Sequence, residues 1–230
     1  MKFSLIIATW NEGAQIASSL KRLKQISRSS PAEIIVVDGG SEDGTAQLAA
    51  ESADHVIALE KPNRGLQLDT GAKRASGDLL LFLRPDAQPP GNWQQALEHF
   101  WLATHNSKVA GTAFSVDYGS QRGMRWAARW GNARASWFGA IAGDHGLCTT
   151  PEFYRESGGF PHYAYREDLA FCGRLRKLGR IAVLNDRIWS AGRRLHQSGP
   201  LASGLHEAWL ALRFKLGASP DDLWRSHLGL

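Results

Sequence analysis

LLLFLRPDA (residues 79–87) contains a continuous apolar run that stops abruptly at Arg84, Pro85 and Asp86. An uninterrupted apolar run of this length is typical of a strand that is covered on both faces of a sheet. A carboxylate at the end of such a strand is costly unless a cation meets it. The stretch therefore predicts a buried strand whose end presents Asp86 to a cationic group, and the alternative is a plain turn residue before Pro89-Pro90.

Apolar runs and helical patterns alternate through the first hundred residues. The runs predict strands over 3–9, 33–37, 55–59 and 79–83, with helical spacing over 12–25, 45–52 and 66–75 between them. This alternation indicates an α/β fold with a mostly parallel central sheet flanked by helices. In such sheets ligands bind at the carboxyl ends of the strands. Polar residues follow all four predicted strands, at 9–12, 38–41, 61–64 and 84–86.

The pattern loosens after a predicted helix over 92–105. An alternating segment (109–117) predicts an edge or antiparallel strand, and a basic, Trp-rich segment (122–137) is compatible with a helix. A helix over 167–178, a strand over 181–185 and an amphipathic helix over 201–216 complete the chain.

Composition narrows the classes of partner and compartment. The net charge of +5 favours acidic partners such as phosphates, nucleotides, nucleic acid or an anionic membrane surface. The two cysteines, Cys148 and Cys172, form no CxxC pair, which excludes a disulfide scaffold and a thiolate zinc site. The N-terminal apolar run is too short for a signal peptide, and no run approaches the roughly 18 apolar residues of a membrane span. We therefore expect a cytoplasmic protein.

The chain lacks the glycine patterns of the common nucleotide and hydrolase motifs. No GxxxxGK[ST], GxGxxG or GxSxG pattern follows a predicted strand. What remains is a set of polar residues at turns, each with two open interpretations. Asp38 either accepts hydrogen bonds from a ligand or caps the following helix, and Asn11 and Glu12 either contact a ribose or start the first helix. Glu167 and Asp168 either do chemistry or complement a helix dipole.

Five segments together resemble glycosyltransferase family 2, which has the GT-A fold, and they are most similar to a short soluble bacterial branch of it. They are SLIIATWNE (4–12), IIVVDGGSEDGT (34–45), RGLQLDTGAKRASGDLLLFLRPDA (64–87), GGFPHYAYREDLAFCGRLRKLGR (158–180) and SAGRR (190–194). The resemblance implies a nucleotide-diphosphate sugar donor and inversion at the anomeric carbon. It also implies a single GT-A domain over 1–230, with a donor half (1–105), an acceptor and catalytic half (106–200) and a C-terminal helical extension (201–230).

The resemblance assigns roles to particular residues. Asp168 would be the general base with Glu167 beside it. A base must be ionised, which requires solvent or a nearby cation, and Arg166 and Arg174 are close to Asp168 in the sequence. The residues implied on the donor side are Thr9, Asn11, Glu12, Asp38, Arg64, Gln67, Arg84 and Asp86. The residues implied on the acceptor and diphosphate side are Asp144, His145, Arg193 and Arg194. For His145 a purely structural role is the alternative.

The expected cofactor is a divalent cation, Mg²⁺ or Mn²⁺, held by Asp86. Asp86 matches the last Asp of the family's DxD metal motif, but Arg84 stands where the first carboxylate is usual, and a cation does not ligate a metal. Either Asp86 binds the metal alone with the diphosphate and water, or Arg84 neutralises the diphosphate with Arg193 and Arg194 and the metal is dispensable.

The Trp/Arg segment and the last amphipathic helix also have more than one interpretation. They pack on the domain, contact a membrane surface at the periphery of the inner membrane, or form a homodimer interface. A rival interpretation, motivated by Arg84, is an inactive sugar-nucleotide-binding or regulatory protein. A nucleotidyltransferase would need a glycine-rich basic loop where TWNEG (9–13) stands. A nucleic-acid partner is not expected, because the acidic residues at the strand ends would repel a phosphate backbone.

Overall fold

The computed structural model describes residues 1–27, 30–104, 107–139 and 141–228. Within this part of the chain the strands are β1 (Phe3–Thr9), β2 (Glu33–Asp38), β3 (His55–Ala58), β4 (Leu79–Leu83), β5 (Ala87–Gln88), β6 (Val109–Asp117), β7 (Leu147–Thr149) and β8 (Arg180–Ser190). They form one sheet in the order β3-β2-β1-β4-β7-β6-β8-β5. The helices are α1 (Gly13–Ile26), α2 (Thr45–Ala50), α3 (Arg64–Arg74), α4 (Trp93–Ala103), α5 (Arg122–Phe138), α6 (Pro151–Glu156), α7 (Glu167–Leu178), α8 (Arg193–Ser198), α9 (Pro200–Lys215) and α10 (Pro220–Leu228).

The first four strands are parallel, as the alternation predicted. β1 pairs with β2 and β4, and β2 pairs with β3, all in parallel register. β7 is antiparallel to both β4 and β6. Because β1 to β4 run in the same direction, their carboxyl ends lie along one edge of the sheet, which we call the rim. The predicted α/β fold class is confirmed.

The core lies on both faces of the sheet because side chains alternate along each strand. On one face Leu5 and Leu81 pack with Trp93 of α4 and with buried leucine and isoleucine side chains of α1. On the other face Phe82 belongs to an aromatic cluster with Tyr154, Phe160 and Phe171. A sheet buried on both faces explains why β1, β2 and β4 are continuous apolar runs rather than alternating ones.

The far edge of the sheet differs from the prediction. The strand predicted over 181–185 extends to Ser190, and its last residues pair with a short strand, β5, that the sequence did not predict. Ala87 pairs with Ser190 and Gln88 with Trp189 in antiparallel register. This pairing places the residue that follows Asp86 against the end of β8, so the SAGRR segment lies at the rim.

α3 lies close to the loop that precedes α7. Asn63 caps α3 by accepting a hydrogen bond from Leu66 N (3.0 Å), and its side-chain amide donates to His162 O (3.0 Å). Gly65 N donates to Tyr163 O at 2.9 Å, and a Cβ on Gly65 would lie only 1.9 Å from Pro161 O. The glycine is therefore required here because the loop backbone occupies the space of a side chain.

Candidate functional site

Asp38 holds the turn at the end of β2. Its Oδ1 accepts hydrogen bonds from Thr9 Oγ1 (3.1 Å) and Ser41 Oγ (2.6 Å), and its Oδ2 accepts one from Ser41 N (2.8 Å). The residue is only 1% exposed. Asp38 does not cap α2, which begins after Gly44. Three of the roughly four acceptor positions of the carboxylate are used within the protein, so Asp38 acts first by fixing the turn.

The turn after β1 is bound to the turn after β2. Asn11 has a left-handed backbone (φ +52°), which asparagine tolerates better than most residues. Its N–H donates to Ser41 Oγ (2.8 Å) and its Oδ1 accepts from Glu42 N (3.1 Å). Glu12 N donates to Thr45 Oγ1 at 2.8 Å. These bonds join the two turns into one preformed surface at the rim.

The side chain of Gln67 bridges the ends of β1 and β2. Its Nε2 donates to Thr9 O (2.7 Å) and to Val37 O (2.9 Å), and the residue is 3% exposed. Both amide hydrogens are therefore used to hold β1 and β2 together. Gln67 lies at the predicted donor side, but its amide nitrogen faces the strands.

Asp86 lies between two arginines. Arg84 Nε is 3.3 Å from Asp86 Oδ1, and Arg193 Nε is 3.6 Å from Asp86 Oδ2. The Asp86 side chain is 3% exposed, whereas those of Arg84 and Arg193 are 39% and 44% exposed. Arg193 Nη2 also donates to both carboxylate oxygens of Glu12, at 2.7 and 3.0 Å. The positive charge that the buried carboxylate requires thus comes from two arginines whose side chains are partly exposed.

Arg84 also belongs to a partly buried polar cluster with Tyr118 and Asp144. Tyr118 Oη donates a short hydrogen bond to Asp144 Oδ2. Burial alone would raise the pKa of Asp144, but His145, Tyr118 and Arg84 together hold that pKa below its usual range. Burial also disfavours the charged form of Arg84, yet Asp86 and Asp144 raise its pKa. Asp144 is therefore an ionised group next to the Arg84 guanidinium.

His145 lies in the core beside β6. Its Nδ1 is 3.0 Å from Phe114 O, and the residue is 1% exposed. The side chain was predicted to contact an acceptor or diphosphate, but this placement matches the structural alternative instead. The side chain of Arg194 lies outside the described residues.

Asp168 is the second residue of α7, and its carboxylate accepts two backbone hydrogen bonds. Its Oδ2 accepts from Gly143 N (2.9 Å) and its Oδ1 from Leu169 N (2.7 Å). Asp168 is partly exposed and lines a small pocket together with Arg64, Gly143 and the apolar side chains beneath them. A carboxylate that is positioned and partly open in this way can accept a proton from a group bound in the pocket.

Glu167 precedes Asp168 in the chain and is more deeply buried. Its Oε1 is 2.6 Å from Arg64 Nε, and the residue is 3% exposed. Burial, with a smaller contribution from the Asp168 carboxylate, raises the pKa of Glu167 to about 7, although Arg64 acts in the opposite direction. Two carboxylates this close do not both ionise freely. Burial favours the protonated form of Glu167, and Arg64 supplies positive charge next to it.

The sequence was wrong about which cations accompany Asp168. Arg166 was expected beside it, but this residue has a left-handed backbone (φ +66°) and its Nη2 donates to Glu207 O (2.8 Å) of α9. Arg174 donates to the carbonyl oxygens of the Gly158–Gly159 turn instead. A non-glycine residue at positive φ is strained, and the contact with Glu207 is what holds this turn in place.

One set of contacts connects most of the predicted site. Ion pairs and electrostatic contacts form a chain from Glu12 through Arg193, Asp86 and Arg84 to Asp144. The charge of Arg84 also acts on Glu167, so the group reaches the start of α7. Sequence reasoning missed Tyr118, Gly143 and Glu207. A lone tyrosine after a strand, a glycine in a loop and a glutamate on a remote helix carry no motif that would have identified them.

Comparison with known proteins places these features in a family. The model for glycosyl transferase family 2 matches residues 4–150. Glycosyltransferase AglE of Haloferax volcanii is 34% identical over 97 residues, which cover 39% of this chain and 32% of that protein. The undecaprenyl-phosphate 4-deoxy-4-formamido-L-arabinose transferase of Yersinia enterocolitica is 35% identical over 98 residues, which cover 39% of this chain and 30% of that protein. The matched segment thus spans about a third of each of these two relatives.

Solved structures give the same fold at lower identity. TarS of S. aureus superimposes with a TM-score of 0.64 at 18% identity, covering 99% of this chain and 71% of that one. Glucosyl-3-phosphoglycerate synthase from Mycobacterium tuberculosis, solved with Mn²⁺, UDP-glucose and phosphoglyceric acid, superimposes with a TM-score of 0.64 at 21% identity and covers 94% of this chain and 80% of that one. At these identities the likeness shows the GT-A fold. Because the family model covers more than half of the sequence, the chain belongs to glycosyltransferase family 2.

Proposed function

We propose that this protein is an inverting glycosyltransferase that moves a sugar from a nucleotide-diphosphate sugar to an acceptor hydroxyl, with Asp168 as the general base. The observation that carries the proposal is that two partly exposed arginines flank Asp86, and that one of them, Arg84, also acts electrostatically on Glu167, which directly precedes the partly exposed Asp168. The reaction needs positive charge next to the departing diphosphate and a base next to the acceptor hydroxyl. Arg84 and Arg193 supply the first, and Asp168 supplies the second.

The base acts on an acceptor hydroxyl that approaches the partly exposed Asp168 beside Arg64 and Gly143. An acceptor hydroxyl is a poor nucleophile until a carboxylate takes its proton as the new bond forms. Asp168 is held for this purpose by Gly143 N, and the proton on Glu167 removes the repulsion that a second charge beneath it would exert. Inversion requires the hydroxyl to attack from the side opposite the departing diphosphate.

The departing diphosphate gathers negative charge in the transition state. Positioned cations at that place stabilise the transition state more than the ground state. Arg84 and Arg193 are preorganised by Asp86, and each keeps a large exposed fraction with which to contact phosphate oxygens. On the proposed function, the turns at Thr9–Glu12 and Asp38–Ser41 hold the nucleoside. The TarS and synthase structures contain UDP or UDP-sugars, so uridine nucleotides are the first donors to test.

Asp86 is the residue that would hold a divalent cation. Within the described residues no three acidic, histidine or cysteine side chains gather as a metal site. One carboxylate is nevertheless enough for Mg²⁺ when phosphates and water complete its shell. Arg193 Nε is 3.6 Å from Asp86 Oδ2, longer than a hydrogen bond. A bound cation would neutralise diphosphate charge next to Arg84. We propose that it adds to the arginines and does not replace them.

The test is Asp168→Asn, with turnover of nucleotide sugars as the assay. The asparagine oxygen can still accept the Gly143 N–H but not the Leu169 N–H as well, so folding and donor affinity are measured beside turnover and kcat is the quantity compared. We expect kcat to fall by about 10²–10⁴-fold, while Glu156→Gln at the exposed end of α6 has no effect. Retention of more than about a tenth of the activity by Asp168→Asn would remove it from the role of base. Donor binding by the wild-type protein without any turnover would favour the inactive sugar-nucleotide-binding alternative.

A further inference from the structure

α5 exposes a face of tryptophan and arginine side chains to solvent. Trp126, Trp130 and Trp137 are 53%, 61% and 73% exposed. Arg125 and Arg129 are also exposed, and together these side chains line one open, shallow depression. We call these five residues the Trp/Arg face. Large aromatic side chains exposed side by side are unusual on a protein surface unless they contact something.

The opposite side of α5 already satisfies the packing needs of the helix. Met124, Ala128 and Ala135 are buried. Asn132 accepts a hydrogen bond from Val116 N (2.7 Å) and donates one to Val116 O (3.0 Å), which fixes α5 against β6. The Trp/Arg face is therefore not needed to hold the helix on the domain.

The chemistry of this face fits an anionic lipid surface. The helix carries no Asp or Glu between residues 122 and 138. Tryptophan lies favourably at the boundary between head groups and acyl chains, and arginine side chains reach from there to lipid phosphates. No helix in the described ranges is long and apolar enough to cross a membrane. We propose that the Trp/Arg face binds the surface of a bilayer that contains anionic phospholipid, with α5 lying in the plane of the interface.

The neighbouring helix extends the same kind of surface. α9 contacts α5. Leu205, Trp209 and Leu212 of α9, and Leu216 directly after it, are 74%, 51%, 55% and 78% exposed and follow one another at helical spacing. Arg213 lies over the Trp209 ring at 4.8 Å from its centroid. Arginine stacked on tryptophan beside exposed leucines repeats the composition of the Trp/Arg face on a second helix.

A second copy of the chain fits the face less well than a membrane does. In a two-fold dimer the same patch meets itself. Arg125 and Arg129 would then approach the same arginines of the other copy, with no acidic side chain on α5 to meet them. Anionic head groups supply the charge that a second copy lacks. The proposal is independent of the transferase function, because binding to lipid needs no donor and no turnover.

Vesicle sedimentation with the full chain tests the proposal. Vesicles of phosphatidylcholine alone are compared with vesicles of phosphatidylcholine and phosphatidylglycerol in equal amounts. Two variants alter the face, Trp126→Ser/Trp130→Ser/Trp137→Ser and Arg125→Gln/Arg129→Gln. The matched controls are Leu102→Ser, an exposed apolar residue of α4 (60% exposed), and Lys21→Gln/Arg22→Gln, which removes the same charge from α1.

We expect the wild-type protein to sediment with the anionic vesicles only. The arginine variant should bind roughly thirtyfold more weakly, the tryptophan variant at least roughly tenfold more weakly, and both controls as the wild type does. Circular dichroism should show all variants folded, because the substituted side chains are exposed. Absence of wild-type binding, equal loss in the controls, or undiminished binding by both face variants would overturn the proposal. Light scattering that shows a dimer dispersed by the tryptophan substitutions would overturn it in favour of self-association.

Discussion

Replacing Glu167 with glutamine should change how the stability of the protein depends on pH. Burial is the main reason why the pKa of Glu167 rises from 4.5 to about 7, and the Asp168 carboxylate adds to it, while Arg64 opposes it. Between these two pH values the folded protein holds a proton that the unfolded chain has released. The free energy of unfolding of the wild-type protein therefore falls as the pH rises through this window.

The size of the effect follows from the width of that window. At about 1.4 kcal/mol for each pH unit, ionisation of Glu167 removes about 3 kcal/mol of unfolding free energy between pH 4.5 and pH 7. The residue is 3% exposed, so solvent screens little of this cost. Glutamine stays neutral and has nearly the size of the glutamate that it replaces next to Arg64. Relative to the wild type, Glu167→Gln should therefore gain about 3 kcal/mol across the same window.

Urea unfolding followed by circular dichroism, repeated from about pH 5 to about pH 8, measures the difference. Glu156→Gln is the matched control, because it removes one carboxylate from an exposed helix end and should parallel the wild type at every pH. A difference between Glu167→Gln and the wild type that does not vary with pH would refute the reasoning. If the unfolding free energy of the wild type rises relative to that of the variant as the pH rises, the Arg64 ion pair outweighs burial and keeps Glu167 charged.

Three further outcomes are expected. Arg84→Ala should lower kcat/KM for donor turnover by about 10²–10³-fold, whereas EDTA should lower it less than about tenfold; a larger loss with EDTA would reverse the proposed order of importance. Gly65→Ala should lower the free energy of unfolding by about 2–4 kcal/mol, because a Cβ there collides with the loop backbone next to it. Gly173→Ala in α7 should not destabilise the protein, because a Cβ there contacts no other atom. Tyr154→Phe should cost about 1–3 kcal/mol in urea unfolding by removing the hydrogen bond to the buried Asp69 carboxylate; an unchanged midpoint would mean that Asp69 finds another donor.

The first half of the fold was predictable because its signals are local. β1, β2 and β4 are apolar runs, and parallel strands necessarily bring their ends to one edge. Once the alternation is recognised, Thr9, Asp38 and Asp86 must lie along the same rim. α1 and α3 were predicted within two residues of their observed ends, because their buried residues recur at helical spacing.

The other half depends on contacts between distant residues, which local patterns do not encode. β5 is two residues long and exists only because β8 pairs with it. Arg64 lies about a hundred residues before Glu167 in the chain and was expected only to line the donor side, so its contact with the carboxylate pair was not foreseen. Arg166 is next to Asp168 in the sequence, but its side chain does not contact Asp168. Its backbone is left-handed, and its side chain donates to Glu207 O of α9.

The Arg84 substitution is best explained together with Arg193. If Arg84 were the only cation here, Asp86 would neutralise most of its charge. Little positive charge would then remain for the diphosphate. Arg193 supplies the second cation, and it reaches Asp86 only because β5 pairs with the end of β8. Glu12 holds the same guanidinium by two hydrogen bonds, so a bound diphosphate must compete with Glu12 for it. On the proposed function, the cationic end of the site therefore forms only when residues from both ends of the fold meet at the rim.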